Sequence, residues 1–192
     1  MVKEMSQNIT ARMVCHNVID AAKAPVYAYG FELLLSSLVG TFALLVISLV
    51  LCVPLWWIPY LLGFVPFRLL GGGYHAKTHR SCIVAFSFLY ALSVTVEKIY
   101  VIPSVFHLLS CVLNIIIMYL FAPVAPPNKP LSSNRKTVNR RICLLLGCLN
   151  LGLEIIQNPS NEGNQWLIMY FAGSCMAGFS MLLAVVNKNR RR

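Results

Sequence analysis

The sequence predicts an all-α polytopic integral membrane protein. It has about six transmembrane helices, one of them short and proline-kinked, and an N-terminal amphipathic helix. Composition is the first reason: 58% of the 192 residues are hydrophobic and only 11% are charged, where a soluble domain carries roughly a quarter charged residues. The mean hydropathy is +0.70. The second reason is that apolar runs of span length recur along the whole chain. The third is the placement of charge. A net charge of +10 would suit a nucleic-acid binder, but Lys and Arg are confined to the segments between apolar runs, the positive-inside pattern. The expected partner is therefore a lipid bilayer, with no nucleic acid.

The chain reads as one membrane domain, 1–192. Residues 1–30 are too polar for a secretory signal, with Lys3, Glu4, Gln7, Arg12, His16, Asp20 and Lys23 interrupting them. Val2, Met5, Ile9 and Met13 recur at helical spacing, which predicts an amphipathic helix lying in the membrane interface; Pro25 and Gly30 interrupt it. The transmembrane bundle is assigned to 31–187. Its first span runs from Phe31 to Val53, about the 20 residues a bilayer core needs. Residues 54–70 carry Pro54, Pro59, Gly63 and Pro66 behind a Trp56–Trp57 pair, so this short segment must be kinked and its freed backbone groups covered.

Beyond a polar stretch, Ile83 to Val96 and Ser104 to Ala122 are further spans, separated by Glu97, Lys98 and Pro103. Residues 122–141 read as a proline-rich polar loop with stiff extended stretches. Ile142 to Ile156 and Gln165 to Val186 complete the spans, with a loop at 157–164 between them and a basic tail at 188–192. Six crossings with both termini cytoplasmic put every Lys and Arg except Lys98 on the cytoplasmic side. Asn114, Asn150, Glu154 and Gln157 fall within or at the ends of spans and are read as helix–helix glue.

One stretch concentrates chemistry-bearing residues: RLLGGGYHAKTHRSC, 68–82, between apolar runs. Gly71, Gly72 and Gly73 disfavour a helix and predict a loop, which the charge pattern puts on the cytoplasmic face. Cys82 then opens a hydrophobic helix just behind Lys77, His79 and Arg80. A helix N-terminus and neighbouring cations both favour a thiolate, so Cys82 is the candidate nucleophile. The other six cysteines (15, 52, 111, 143, 148 and 175) lie mostly in apolar runs and read as small buried hydrophobes. No C-x-x-C occurs and no disulfide framework is expected.

Two histidines compete as its general base. His75 precedes Cys82 by seven residues, about 10.5 Å on a continuous helix, so it must fold back from the loop. His79 is better spaced if the helix starts early, and spacing alone does not choose. His75, His79 and Cys82 also stand at i, i+4 and i+7, a metal-ligand spacing, but no glutamate follows His75 as H-E-x-x-H would require.

The stretch GGGYHAKTHRSC, with Arg68 upstream, resembles the signature of the accessory gene regulator B (AgrB) family, membrane peptidases of bacterial quorum sensing. The matching positions are Arg68, Gly73, His75 and Cys82. YGFELLLSS (29–37) and APVAPPNKP (122–130) are similar to that family's sequences in the same order, and the likeness covers nearly the whole chain. It implies a cysteine endopeptidase, a thiol protease of the bacterial cell membrane, acting on an AgrD-like autoinducer precursor peptide. Cys82 would be the nucleophile and His75 the base, leaving a thioester that closes to a thiolactone or lactone. Arg68 and Gly73 would support or bind the substrate. Glu32, the one acid near the cytoplasmic ends of the spans, is assigned to orient His75. No cofactor and no metal are called for, and a homodimer is compatible with the reading. Two other classes stay open: a small membrane transporter, with the 54–70 segment and intramembrane polar residues lining a path, or a metal-binding membrane protein built on the two histidines.

Overall fold

The computed structural model describes residues 2–73, 79–100, 103–124, 132–157 and 164–189. Among these are seven α-helices and no strand beyond one isolated bridge. They are α1 (Val2–Cys15), α2 (Ala24–Val50), α3 (Trp57–Gly71), α4 (His79–Ile99), α5 (Ser104–Phe121), α6 (Ser133–Gln157) and α7 (Gln165–Asn189).

The helix boundaries follow from local chemistry, and several differ from the expected ones. α4 starts at His79, three residues ahead of Cys82, and runs through Glu97 and Lys98 to Ile99. Two larger differences have a clear cause. The helix expected across the first 30 residues is divided. α1 ends in a left-handed cap at Asn17 (φ 55°), with Asn17 N–H donating to the Val14 carbonyl and Val18 N–H to that of Met13. This is the Schellman arrangement, in which Asn is an accepted substitute for Gly. Asp20 then caps a short 3₁₀ turn, Ala21–Lys23, by accepting the Ala22 N–H at 3.0 Å. Pro25 does not interrupt a helix; it stands in the first turn of α2, where its missing N–H costs nothing. α2 therefore starts at Ala24, ahead of Phe31, and α1 packs against it.

The second difference is α6. It begins at Ser133, inside the stretch read as a proline-rich loop. Residues 133–141 are polar but contain no Pro or Gly, and the Ser132 hydroxyl accepts the Arg135 N–H at 3.5 Å, as an N-cap does. Polarity marked this stretch as outside the apolar layer, which does not exclude a helix.

Side-chain contacts give the helix directions. Tyr60 of α3 packs on Tyr90 of α4 at 4.9 Å between ring centroids, and Phe64 packs on Phe86 at 4.5 Å, so α3 and α4 are antiparallel. Ser48 and Tyr90 are hydrogen-bonded at 2.5 Å and Lys98 donates to the Leu51 carbonyl, so α2 runs parallel to α4. Gly63 meets Tyr170 and Gly71 meets Met181, so α3 and α7 are parallel. Gly147 meets Ile115 while Arg140 meets Tyr119, so α6 opposes α5. From α2 to α7 the helices thus alternate in direction. The same end of the bundle collects the start of α2, the end of α3, the starts of α4 and α6, and the ends of α5 and α7.

α7 is the inner helix: 39% of its apolar window is buried, against 17% for α2 and 11% for α4. These three are long and apolar enough to cross a bilayer, while α3 and α5 are apolar but shorter. A 15-residue helix such as α3 is about 22 Å long, less than the roughly 30 Å hydrocarbon core. α3 holds Pro66 within it. Outward faces expose Leu38, Phe42, Val84 and Phe88, among others, as apolar helices in contact with lipid do.

The intramembrane polar residues interlock. Asn114 donates to the Ser174 carbonyl at 3.0 Å, and the Tyr170 hydroxyl donates to Asn150 Oδ1 at 2.7 Å. Asn114, Asn150 and Glu154 are all buried among α5, α6 and α7. These bonds match the glue reading. All seven cysteines are free thiols.

Candidate active site

The last turn of α3 brings Arg68 to the end of the bundle, and the three glycines leave the helix there. Each is hemmed in by a different neighbour. Gly71 ends α3 and is buried; a Cβ on it would meet Met181 Cε at 2.6 Å. Gly72 adopts φ 77° and ψ −152°, backbone that is nearly exclusive to glycine. It forms a parallel bridge with Val124, whose N–H donates to the Gly71 carbonyl at 2.8 Å. Gly73 has φ 145°, and its α-carbon lies against the Arg68 guanidinium. Gly72 and Gly73 leave the helix as expected, whereas Gly71 is still its last residue, and all three are pinned.

Arg68 is held from two sides. Its Nη1 donates to Ser180 Oγ at 3.1 Å, and the Ser180 hydroxyl passes its own proton to the Ala177 carbonyl at 3.0 Å, leaving a lone pair for the guanidinium. Arg68 also interacts electrostatically with Cys82. Cys82 is the fourth residue of α4 and is half-buried. Arg68 and Gly73 are therefore in contact, and Cys82 on α4 lies within electrostatic range of the guanidinium.

His75 and Lys77 lie outside the described residues. The metal spacing of His75, His79 and Cys82 falls partly there as well; among the described residues no group of three His, Cys, Asp or Glu gathers as ligands. Glu32 is half-buried on α2. It stands sixteen residues before Ser48, about 24 Å along the helix, while Cys82 stands eight residues before Tyr90, about 12 Å. Since Ser48 and Tyr90 are bonded and the two helices are parallel, Glu32 sits about 12 Å beyond Cys82 toward the bundle end. That is outside hydrogen-bond reach of the thiol.

Three contributors had no functional signal in the sequence. Ser180 is one serine in an apolar helix. Val124 belongs to the APVAPPNKP stretch, which suggests stiffness and nothing more. Asn139 Nδ2 donates to the Leu70 carbonyl at 3.2 Å, tying α6 to the last turn of α3.

The family described as accessory gene regulator B matches residues 6–184, from α1 to near the end of α7. The chain belongs to the AgrB family. No curated protein and no solved structure matches it. Membership ties this AgrB chain to the processing of autoinducer peptides in quorum sensing and fits its apolar, membrane-compatible helices. It also gives meaning to the contact between the glycine turn and the 122–124 segment: two stretches that carry the AgrB resemblance touch each other through the Gly72–Val124 bridge.

Proposed function

We propose that this AgrB protein is a membrane cysteine endopeptidase that cleaves an AgrD-type precursor through an acyl-enzyme on Cys82. The observation that carries the reading is the contact of Arg68 with the glycine turn at Gly73, with Cys82 near the head of α4 in electrostatic range of the guanidinium. His75 belongs to the short segment joining Gly73 to α4 and is the general base.

In this mechanism the Cys82 sulfur attacks the carbonyl carbon of the scissile peptide bond. His75 takes the thiol proton and returns it to the nitrogen of the departing segment, which leaves as an amine. The acyl half stays as a thioester on Cys82. A thiol or hydroxyl within that half then attacks the thioester carbonyl, closes the ring and releases the Cys82 thiol. A thioester suits this because it keeps acyl reactivity for the second transfer. Arg68 positions the substrate's polar groups, and Gly73 leaves room for the guanidinium. Glu32 orients His75 from the outer side of the site.

The alternating helix directions support six crossings. With every Lys and Arg except Lys98 belonging to segments at the site end or leading into it, the positive-inside pattern supports a cytoplasmic site.

The test is co-expression with an AgrD-type precursor, followed by intact-mass analysis of the protein. A hydroxylamine-labile adduct on Cys82 is expected, absent from Cys82→Ala and His75→Ala and retained in His79→Ala. Cleaved precursor appearing with Cys82→Ala would sink the reading.

A further inference from the structure

Two cysteines that take no part in the proposed chemistry face each other inside the bundle. α5 and α7 run parallel and pack together. Asn114 of α5 fixes their register: its Nδ2 donates to the Ser174 carbonyl at 3.0 Å, and a Cβ on Gly178 would stand 2.1 Å from its Oδ1. Three residues back along each helix, one turn further from the site end, stand Cys111 and Cys175. We propose that Cys111 and Cys175 form an intramembrane dithiol, a modification site that an uncharged two-electron oxidant, a diazene or a quinone, closes to a disulfide joining α5 to α7. This site does not depend on the peptidase reading.

The side chains agree with this register. The Cys175 thiol interacts with the Ser110 side chain of α5 and is in electrostatic range of the Cys111 thiol. Cys111 is buried and Cys175 half-buried. Packed helices stand about 8–10 Å apart and Cα atoms lie about 2.3 Å from each axis, so facing Cα atoms come to roughly 3.5–5.5 Å. A disulfide spans about 4.4–6.8 Å between Cα atoms, so closure needs little movement of either helix. Cys143, the other buried thiol, packs instead among Phe67, Met118 and Met181, and Cys15, Cys52 and Cys148 are exposed.

Position selects the oxidant. Cys111 lies about 10 Å and Cys175 about 15 Å along its helix from the end opposite the site, among apolar residues, so a charged reagent is kept out. The half-buried Cys175 sulfur adds to one nitrogen of the N=N bond of a diazene, and its proton goes to the other nitrogen. The Cys111 sulfur then attacks the Cys175 sulfur, the S–N bond breaks, and the departing nitrogen takes the Cys111 proton. Two thiols and one diazene thus give one disulfide and one hydrazine. The disulfide would join the two helices that brace the glycine turn: α7 holds Arg68 through Ser180, and α5 leads into Val124, which bridges Gly72.

The test treats the full-length protein in phosphatidylcholine nanodiscs with diamide, an uncharged diazene, then unfolds it in N-ethylmaleimide and maps its cysteines by peptide mass spectrometry without reduction. The main intramolecular product is expected to be a peptide pair joined through Cys111 and Cys175, lighter by two hydrogens than the separate peptides, with Cys143 recovered as its maleimide adduct. Dithiothreitol, which is uncharged, should reopen the link in nanodiscs, while the charged reductant tris(carboxyethyl)phosphine should leave it closed. The joined form should melt several degrees above the reduced one, because the link closes a long loop in the unfolded chain. Diamide should leave the melting temperature of Cys175→Ser unchanged. The crosslink is read on the unsubstituted chain, so it stands whether or not that variant folds. Recovery of both Cys111 and Cys175 as maleimide adducts, or Cys143 as the main partner of either, would overturn the proposal. So would an equal rise in melting temperature in Cys175→Ser.

Discussion

The guanidinium of Arg68 lies against the α-carbon of Gly73: a Cβ on that glycine would stand 1.9 Å from Nη1 and 2.6 Å from Ser180 Oγ. Gly73 is therefore required twice, for its φ of 145° and for the space that Arg68 occupies. Gly73→Ala should displace Arg68 from Ser180 while leaving the helices in place. Precursor cleavage is expected to fall by about tenfold or more, the loss that follows misplacement of a positioning group by about 1 Å. Cleavage assayed beside circular dichroism checks this; a folded Gly73→Ala protein that cleaves at the parental rate would show that the contact is packing alone.

Arg68 is bonded to Ser180 of α7, and if the proposed site is right its removal should be visible at the Cys82 thiol. A cation beside a thiol favours the thiolate, the form that alkylates. Iodoacetamide labelling of Cys82 near neutral pH, followed by peptide mass spectrometry to separate it from the other six cysteines, should slow severalfold in Arg68→Gln. Arg68→Lys keeps the charge but not the planar fork and should fall between. Ser180→Ala removes one hydroxyl that accepts from the guanidinium and should resemble Arg68→Lys. Unchanged labelling in Arg68→Gln would separate Arg68 from the thiol's chemistry.

How much of this was legible in the sequence depended on whether a feature was local. The glycine turn, a helix start close to Cys82 (in fact at His79) and the alternation of apolar runs all follow from residue types next to one another. The α6 start at Ser133 was hidden because hydropathy reports burial in lipid, and a helix that emerges from the apolar layer loses that signal without losing its hydrogen bonds. The break at Asn17 was hidden for another reason: a single left-handed residue ends a helix whose apolar spacing continues past it. The contacts that brace the site, Arg68 to Ser180 and Gly72 to Val124, join residues 112 and 52 positions apart. No periodicity encodes such pairs. The stretch 122–130 matched the family without suggesting any chemistry, and only the fold shows Val124 braced against Gly72.

The end of α2 carries a correctable strain. Cys52 has φ 57°, with Cys52 N–H donating to the Leu49 carbonyl and Val53 N–H to that of Ser48, the Schellman closure with a non-glycine at the left-handed position. An L-residue there costs roughly 1–2 kcal/mol. Cys52 is exposed, so its side chain adds little burial in return. Cys52→Gly should raise stability by about 1 kcal/mol, or about 2–4 °C in the melting temperature for a chain of this size. Thermal unfolding in nanodiscs measures it, and a lower melting temperature would mean the thiol has a packing role.

The tightest helix pair sets the position of both Arg68 and Ser180. α3 and α7 approach through reciprocal glycines: a Cβ on Gly63 would stand 1.9 Å from the Tyr170 carbonyl oxygen, and one on Gly173 would stand 2.1 Å from that of Tyr60. Both obstacles are backbone, so a methyl group is accommodated only by moving the helices apart. Gly173→Ala should destabilise the bundle by about 1–3 kcal/mol, the usual range for overpacking, despite the roughly 1 kcal/mol by which alanine favours a helix over glycine. Gly152→Ala is the matched control, since its Cβ would meet nothing within 4 Å; there only the helix preference acts, and stability should hold or rise. Separation of α3 from α7 should also lengthen the Arg68–Ser180 bond, so Gly173→Ala should slow Cys82 labelling while Gly152→Ala does not. If Gly173→Ala lowers the melting temperature yet leaves labelling intact, Arg68 is held at the thiol by the glycine turn and not by α7.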